Sequence, residues 1–347
     1  MKQRLRGMGF EAPDLVVIGF GLTMAGIGLW HRDRLPDGSV IHRYLLAALA
    51  YAWVLRMATR RGIRPLPMAM LRTVGLCSLI PYMFLEMGDI LPFVVDHTYE
   101  RELAALDRLI FLGVDPLEAL ERWLHPLAVD AMQFAYVTYY PVFLTGLFIL
   151  ARRPHRTLKE FWTAPTGQEL HDFYAFMTAI ALTQCGTYLG YLVVPAMSPY
   201  RAAMDPQFAG LYHFTKPVWG HYIQPWLGAW VHASETNVLD CFPSGHTAGG
   251  LVVLMGMWKW RRPVFYWVLP VQMGLIGATV YLRYHYVVDV LAGALWAVIA
   301  LRVAIRWSDA FQGVAFPVRA GGQEGRAEPA GQSDIGNPAG VPGGRDS

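Results

Sequence analysis

Long apolar runs dominate the chain and are separated by shorter polar connections. A membrane-spanning helix needs roughly 20 mostly apolar residues, and eight runs approach that length. They predict spans one to eight, at approximately Leu15–Trp30, Tyr44–Met57, Met68–Val94, Ala128–Ala151, Phe173–Val194, Thr247–Trp260, Pro263–Leu282 and Tyr286–Ala304. The second and sixth runs are short, so their ends are the least well defined. The pattern predicts an all-α fold, a polytopic membrane helix bundle of about eight spans within residues 1–310.

The composition agrees with a membrane protein. Hydrophobic residues make up 54% of the chain and charged residues only 16%, whereas soluble domains carry about a quarter charged residues. The net charge of +3 comes from scattered arginines, which gives no nucleic-acid footprint. Three unspaced cysteines predict neither a disulfide framework nor a zinc site. Residues 320–347 are rich in Gly, Pro and Ala without apolar period, which predicts a disordered cytoplasmic tail.

Basic residues cluster in every second connection, and Lys and Arg in short loops stay on the cytoplasmic side of a membrane. The clusters precede span one, join spans two and three, follow span four, join spans six and seven, and end span eight. They comprise Lys2, Arg4, Arg6, Arg60, Arg61, Arg64, Arg152, Arg153, Arg156, Lys159, Lys259, Arg261, Arg262, Arg302 and Arg306. We therefore expect a cell (inner) membrane protein with both termini in the cytoplasm.

Two of the remaining connections are long and are expected on the outer face. Residues 97–126 carry leucines at helix-like spacing among acids and arginines, which predicts one or two amphipathic helices broken near Gly113–Pro116. Residues 197–240 are rich in Trp and Tyr, which favour the level of the lipid headgroups. This second segment is expected over the outer mouth of the bundle.

Two histidines flank the apolar hairpin formed by spans six and seven. His246 begins span six, and His285 lies at the junction of spans seven and eight. Because the turn between spans six and seven is basic and expected to be cytoplasmic, both histidines are expected on the outer side. Asp289 lies one helical turn after His285 and on the same helix face, where it could hold the imidazole in one tautomer. Ser244 and Gly245 precede a helix start, which favours an anion.

These residue types fit phosphoryl transfer without a metal or cofactor. One imidazole can attack phosphorus and form a covalent phosphohistidine, while the other protonates the leaving oxygen. Arg283 and backbone N–H groups could neutralise the phosphoryl oxygens. Other interpretations are a structural pair of His285 and Asp289, or a metal site that also includes His246. Arg283 could also simply extend to the membrane interface.

The sequence PSGH at residues 243–246, followed by HxxxD at 285–289, resembles the second and third signature motifs of the type 2 phosphatidic acid phosphatase superfamily. The resemblance covers about fifty residues (240–293). It implies that His285 is the nucleophile, Asp289 its partner and His246 the general acid. It also implies that Ser244 and Gly245 contact phosphate.

The chain departs from that pattern at its arginines. The third motif usually has an arginine six residues before its histidine, where Thr279 stands here, and Arg283 is the nearest replacement. The usual first motif, a lysine and an Arg-Pro pair, is missing: the three Arg-Pro pairs, which begin at residues 64, 153 and 262, lack the lysine and are expected on the cytoplasmic side.

A missing first motif with YxRxHYxxD resembles the branch that contains inositol phosphorylceramide synthases, with sphingomyelin synthases as further relatives. The segment 194–201 also resembles the proline-rich segment of that branch, which makes Arg201 a second candidate for holding phosphate. The resemblance modestly favours an inositolphosphotransferase-like headgroup transfer over simple hydrolysis of a lipid phosphate. The implied partners are the membrane and a lipid phosphate or phospholipid substrate, with no nucleic acid.

Other polar residues in the spans have less specific interpretations. A proton-coupled transporter is an alternative of another class, since Glu86 and Asp89 near the end of span three could form a proton relay. A helix-end hydrogen-bonding role is the alternative for these two acids. A proton relay does not need PSGH beside HxxxD, so the enzyme is favoured. The Tyr136–Tyr140 cluster in span four is interpreted as packing.

Overall fold

The structure, a computed structural model, describes residues 9–63, 65–151, 167–234 and 237–312. Within these ranges the fold is all-helical and contains no strand, which confirms the predicted class. The predicted tail at 320–347 lies outside the described residues, as do the first basic cluster and the one that follows span four.

Fourteen α-helices are present in the described ranges. They are α1 (Ala12–Trp30), α2 (Ser39–Arg60), α3 (Pro65–Met87), α4 (Leu91–Val94), α5 (Glu100–Ile110), α6 (Pro116–Leu120), α7 (Pro126–Val137), α8 (Tyr139–Ala151), α9 (Gly167–Val193), α10 (Pro199–Ala202), α11 (Gln224–Ser234), α12 (Gly245–Trp260), α13 (Arg262–Tyr281) and α14 (Val287–Gln312). Short 3₁₀ turns at Glu121–Trp123 and Pro206–Phe208 complete the secondary structure.

Five of the described helices are long and apolar enough to cross a membrane. These candidate spans are Ala12–Trp30, Pro67–Met87, Gln168–Val193, Arg262–Tyr281 and Val287–Phe311. They coincide with predicted spans one, three, five, seven and eight. The sixth predicted span, α12, has 16 residues, about 24 Å at 1.5 Å per residue, against a hydrocarbon core of about 30 Å. The count of about eight spans stays a prediction.

Two predicted spans are interrupted. Span four divides at Thr138 into α7 and α8. Pro141 lacks the N–H that would bond to the carbonyl of Val137 in a continuous helix, so the chain starts a new helix there. Span three ends at Met87 rather than Val94, because the turn at 88–90 separates it from the short helix α4. Pro92 lies in the first turn of that helix, where a missing N–H costs nothing.

Helix α9 is the most buried of the candidate spans, since 67% of an 18-residue apolar stretch in it is buried. Small residues let neighbouring side chains approach its backbone. At Gly186 a Cβ would lie 2.1 Å from the indole of Trp296 on α14, and that indole donates to the Thr183 carbonyl over 3.1 Å. This close packing fixes α14, and therefore the start of that helix, against α9.

A buried ion pair and two tyrosines join α1, α2 and α3 to α9. Arg72 on α3 lies 2.9 Å from Asp14 on α1, with both side chains almost fully buried. Tyr51 on α2 donates to the same carboxylate over 2.9 Å, and Arg72 donates to Tyr174 on α9 over 2.8 Å. Removing either charge would leave the other buried and uncompensated. Four helices are therefore tied together by one polar cluster.

The described parts of the two long connections, residues 97–126, 197–234 and 237–240, lie at the end of the bundle that carries both histidine motifs. The first segment forms α5 and α6 with a break at 111–115, as predicted. Buried acids fasten the segments to each other and to the bundle. Glu100 accepts from the Met197 N–H over 2.8 Å, and Asp107 accepts from the N–H groups of Val287 and Val288, each over 2.8 Å.

Candidate active site

His246 is placed by the start of helix α12. Ser244 is the N-cap residue, and its hydroxyl accepts from the Thr247 N–H over 3.2 Å, as a helix N-terminus requires. Ser244 is fully buried and its hydroxyl is engaged in this cap. Gly245 and His246, in the first turn, line a cavity whose other walls come mainly from α3, α8 and α9 and which we call the main cavity.

His285 is placed by the connection between α13 and α14. Arg283 has a left-handed backbone with φ +61°, and the N–H groups of Tyr284 and His285 both bond to the Thr279 carbonyl over 2.9 Å. The resulting turn leads directly into α14, whose first turn contains Asp289. Thr279, at the usual arginine position, is fully buried and its hydroxyl donates to the Ile276 carbonyl over 2.7 Å.

Asp289 holds His285 in the way that its position one turn later predicts. Nδ1 of His285 lies 3.3 Å from Oδ2 of Asp289, with both side chains buried. The N–H of Tyr286 donates to the same oxygen over 3.0 Å. A buried carboxylate in this position favours the tautomer with a proton on Nδ1, which leaves the lone pair on Nε2.

The two histidine elements are joined through their backbones. The Ser244 N–H donates to the carbonyl of Asp289 over 3.1 Å. Gly293 allows this approach, because a Cβ there would lie 2.5 Å from the Ser244 carbonyl oxygen. The imidazole rings of His246 and His285 consequently lie 5.8 Å apart, centroid to centroid. The structure thus brings His246, His285 and Asp289 together.

Cys241 lies in the same cluster and was not predicted as a site residue. Its Sγ lies 2.9 Å from Oδ2 of Asp289 and 3.5 Å from Nδ1 of His285. Burial, and then the charge of Asp289, raises the pKa of this thiol well above its usual value. The three side chains also form a group that could hold a metal ion, with ligand atoms within 4.8 Å of one another.

The aromatic side chains at the junction of α7 and α8 surround His246. The Tyr136 ring stacks on it at 4.4 Å between centroids, and the Tyr139 ring lies at 4.3 Å. Tyr136 also contacts the Tyr284 ring at 4.6 Å. The interpretation of this tyrosine cluster as packing was therefore incomplete, because two of its members contact a candidate catalytic side chain. The sequence offered only their proximity within one span, since the contact depends on the break at Thr138.

Arg283 contacts Phe214, Lys216 and Glu121. Its Cζ lies 3.6 Å from the centroid of the Phe214 ring, its Nη1 donates to the Lys216 carbonyl over 3.1 Å, and its Nη2 lies 3.9 Å from Oε2 of Glu121. Burial lowers the pKa of Arg283, and the Glu121 charge opposes this effect. Arg283 is not among the described residues that line the main cavity.

Arg201, in contrast, does line that cavity. It belongs to the short helix α10, which is capped by the Ser198 side chain over 3.3 Å. The N–H of Tyr200 donates to the Arg283 carbonyl over 2.9 Å. The segment that carries Arg201 is thereby tied to the turn that carries His285.

The main cavity has a volume of about 280 Å³ and a polar end at the motifs. That end is formed by the two histidines together with Arg201, Asp240, Cys241 and Gly245. The remaining wall is mostly apolar and comes mainly from α3, α8 and α9, with smaller parts from α7 and α11. It includes Leu76, Ile80, Phe84, Phe143, Leu147, Met177 and Ile180. The paired imidazoles therefore face a cavity suited to a molecule with one charged end and one apolar end.

Comparison with known proteins shows that part of the chain is similar to one family. Residues 166–303 match the family model of the PAP2 superfamily. No curated protein and no solved structure matches the chain. The matched region contains both histidine motifs, Arg201 and helices α9 to α13 with part of α14. The part of the chain that builds this site is therefore similar to the PAP2 superfamily.

Proposed function

We propose that this protein is an integral membrane lipid phosphatase or phosphotransferase that works through a phosphohistidine on His285. One observation carries the proposal. Two imidazole rings lie 5.8 Å apart, one of them is held by a buried carboxylate, and both line one cavity.

The first half of the reaction transfers the phosphoryl group to the protein. Nε2 of His285 forms a bond to phosphorus, and the bond from phosphorus to the leaving oxygen breaks. His246 donates a proton to that oxygen, so that it leaves as an alcohol. Asp289, beside Nδ1, stabilises the positive charge that His285 acquires.

The second half returns the protein to its starting state. Water or an alcohol attacks phosphorus, His246 takes its proton, and the bond from phosphorus to His285 breaks. Water gives free phosphate, and the protein is then a simple lipid phosphatase. An alcohol gives a new phosphodiester, and the protein is then a phosphotransferase. Headgroup transfer of the inositolphosphotransferase kind is favoured modestly, on the sequence motifs alone.

The phosphate is held by Arg201 and by the start of α12 in this proposal. Arg201 lines the cavity, and the first turn of a helix offers free N–H groups and the positive end of the helix dipole. A side chain at residue 245 would clash with Tyr191, because a Cβ there would lie 2.9 Å from the Tyr191 hydroxyl. Arg201 is preferred here to Arg283, the first candidate from the sequence, because Arg283 contacts Phe214, Lys216 and Glu121 and is not among the described residues that line the cavity.

The apolar part of the cavity supports a lipid rather than a small soluble ester. Its walls from α3, α8 and α9 are mostly apolar, and burying a hydrocarbon chain is favourable by about 0.8 kcal/mol per CH₂. A small charged ester would leave this surface exposed to water. The substrate proposed is therefore a phosphate or phosphodiester on a long apolar chain.

The test uses the purified full chain in lipid nanodiscs with a panel of labelled phospholipids and lipid phosphates, with and without alcohol acceptors. Free phosphate identifies hydrolysis, and a new phosphodiester identifies transfer. His285→Ala serves as the inactive control and should give neither product, and His246→Ala should give them roughly 10²–10⁴-fold more slowly. Turnover in His285→Ala equal to that of the wild type would overturn the proposal. Proton-coupled uptake without ester turnover would favour the transporter.

A further inference from the structure

Three hydrogen-bond donors converge on one carboxylate oxygen at the site. Oδ2 of Asp289 lies 2.9 Å from Sγ of Cys241, 3.0 Å from the N of Tyr286 and 3.3 Å from Nδ1 of His285. Oδ1 of the same carboxylate has no hydrogen-bond partner among the described residues. The thiol therefore competes with the imidazole for a single acceptor.

We propose that Cys241 is a positioning residue that shares Oδ2 of Asp289 with His285 and thereby sets how strongly the carboxylate stabilises the protonated imidazole. The proposal rests on the proposed function, because it concerns the nucleophile of that reaction. It adds a role for a residue outside the signature motifs.

The thiol is held firmly in place. Cys241 is buried, and its backbone N–H donates to the Ala196 carbonyl over 3.2 Å. Sγ also lies 3.4 Å from the carbonyl of Tyr284, the residue before the nucleophile. Because burial keeps the thiol protonated, its proton is available to donate to the carboxylate. Cys241 thus links the segment after α9 to the turn that carries His285.

Removing the donor changes the proton equilibrium of the nucleophile in a defined direction. Without the thiol, more of the Asp289 charge is available to His285, and the imidazolium form is stabilised. The nucleophile must be neutral to react. As the solution is acidified, the variant without the thiol should therefore begin to lose activity at a higher pH than the wild type. Other titratable groups that interact with this cluster are His246, Asp240, Asp107, Tyr191, Tyr212 and Tyr286. None of these is altered by replacing Cys241.

The experiment compares Cys241→Ala and Cys241→Ser in the full chain, with kcat and KM measured across the acidic range. For Cys241→Ala we expect the acidic limb of kcat/KM to move to higher pH by up to about one unit, the size of one lost hydrogen bond to a buried group. Cys241→Ser retains a donor and should keep the limb near that of the wild type. Cys185→Ala removes a buried thiol on α9 outside this cluster, and should match the wild type.

An unchanged acidic limb in Cys241→Ala, whatever its kcat, would overturn the positioning role. Should the alanine variant not fold, Cys241→Val fills the space without donating, and the same shift is expected. If both fail to fold while the serine variant folds, the thiol supports the structure only and the proposal is wrong. A wild-type chain that turns over no phosphate ester would contradict the proposed function instead, so the two failures are distinguishable.

Discussion

The guanidinium carbon of Arg283 lies 3.6 Å from the centroid of the Phe214 ring. Arg283 is the arginine nearest to His285 in sequence, yet it is not among the described residues that line the cavity with both histidines. Arg201, far from His285 in sequence, lines that cavity. The two arginines are therefore expected to differ in what their replacement does.

Replacing Arg201 by lysine should lower kcat/KM by roughly 10- to 100-fold, since a lysine keeps the charge but cannot bind phosphate through two nitrogens. Replacing Arg283 by lysine should leave kcat/KM near that of the wild type. Its effect should be on stability, a loss of about 1–3 kcal/mol, because a buried guanidinium is removed from its partners. Steady-state kinetics and thermal unfolding separate these outcomes.

Arg101→Lys is the matched control for both arginines, since Arg101 is exposed and donates to the Gln207 carbonyl over 2.9 Å. It should leave both measurements unchanged. A large loss of kcat/KM in a stable Arg283→Lys variant, with Arg201→Lys unaffected, would reverse the assignment of the phosphate-binding arginine.

Asp107 fastens helix α5 to the start of α14, two residues after the nucleophile. Burial raises the pKa of Asp107 from 3.8 to about 6, although the N–H groups of Val287 and Val288 oppose the shift. A raised carboxyl pKa means that the folded state binds the proton more tightly than the unfolded state. The stability contributed by this group is therefore present below about pH 4 and lost as the pH rises through about 6.

Asp107→Asn should be less stable than the wild type, because it loses one of the two acceptors at the helix start. The difference should narrow as the pH rises from about 4 to about 6, since only the wild type loses stability there. Unfolding measured over this range tests the sign. Glu102→Gln removes an exposed acid of the same helix and should show no such trend. A gap that widens with pH would contradict the prediction.

Tyr136 stacks on His246, and its hydroxyl lies 3.5 Å from Nδ1 of that histidine. This distance is at the limit for a hydrogen bond, so the stacking should matter more than the hydroxyl. We expect at most about a threefold loss of kcat in Tyr136→Phe and roughly a 100-fold loss in Tyr136→Ala, where the imidazole loses its orientation. Tyr266→Ala, on an exposed tyrosine of α13, is the control. Equal losses in the Phe and Ala variants would assign the role to the hydroxyl.

Chelating agents should leave turnover unchanged, because the proposed reaction uses imidazoles and an arginine. This experiment distinguishes the proposed reaction from a metal-dependent one, since the side chains of Cys241, His285 and Asp289 could also hold a metal ion. Activity should be measured after dialysis against a chelator, together with the metal content of the protein. Loss of activity that one metal ion restores would support metal-assisted hydrolysis instead.

Local spacing was enough to predict that His246, His285 and Asp289 lie close together, as the structure shows. His285 and Asp289 are one helical turn apart, and an apolar hairpin must return His246 to the same end of the bundle. The contacts of Cys241 and Tyr136 could not be predicted, because they depend on how separate helices pack. The direction of Arg283 depends on a left-handed backbone at that residue, which its sequence position does not reveal. The division of span four follows from Pro141, which lacks the backbone N–H that a continuous helix would need at that position.

The most direct test of the account is to trap the phosphorylated protein. Wild-type protein mixed with a lipid phosphate labelled on phosphorus, then quenched in alkali within the first turnover, should carry the label on His285, with the acid lability of a phosphohistidine. His285→Ala should carry none, and His246→Ala should form the intermediate roughly 10²–10⁴-fold more slowly, as expected when a general acid is lost. Label on a different residue, or steady turnover in the wild type with no phosphorylated His285, would contradict the account.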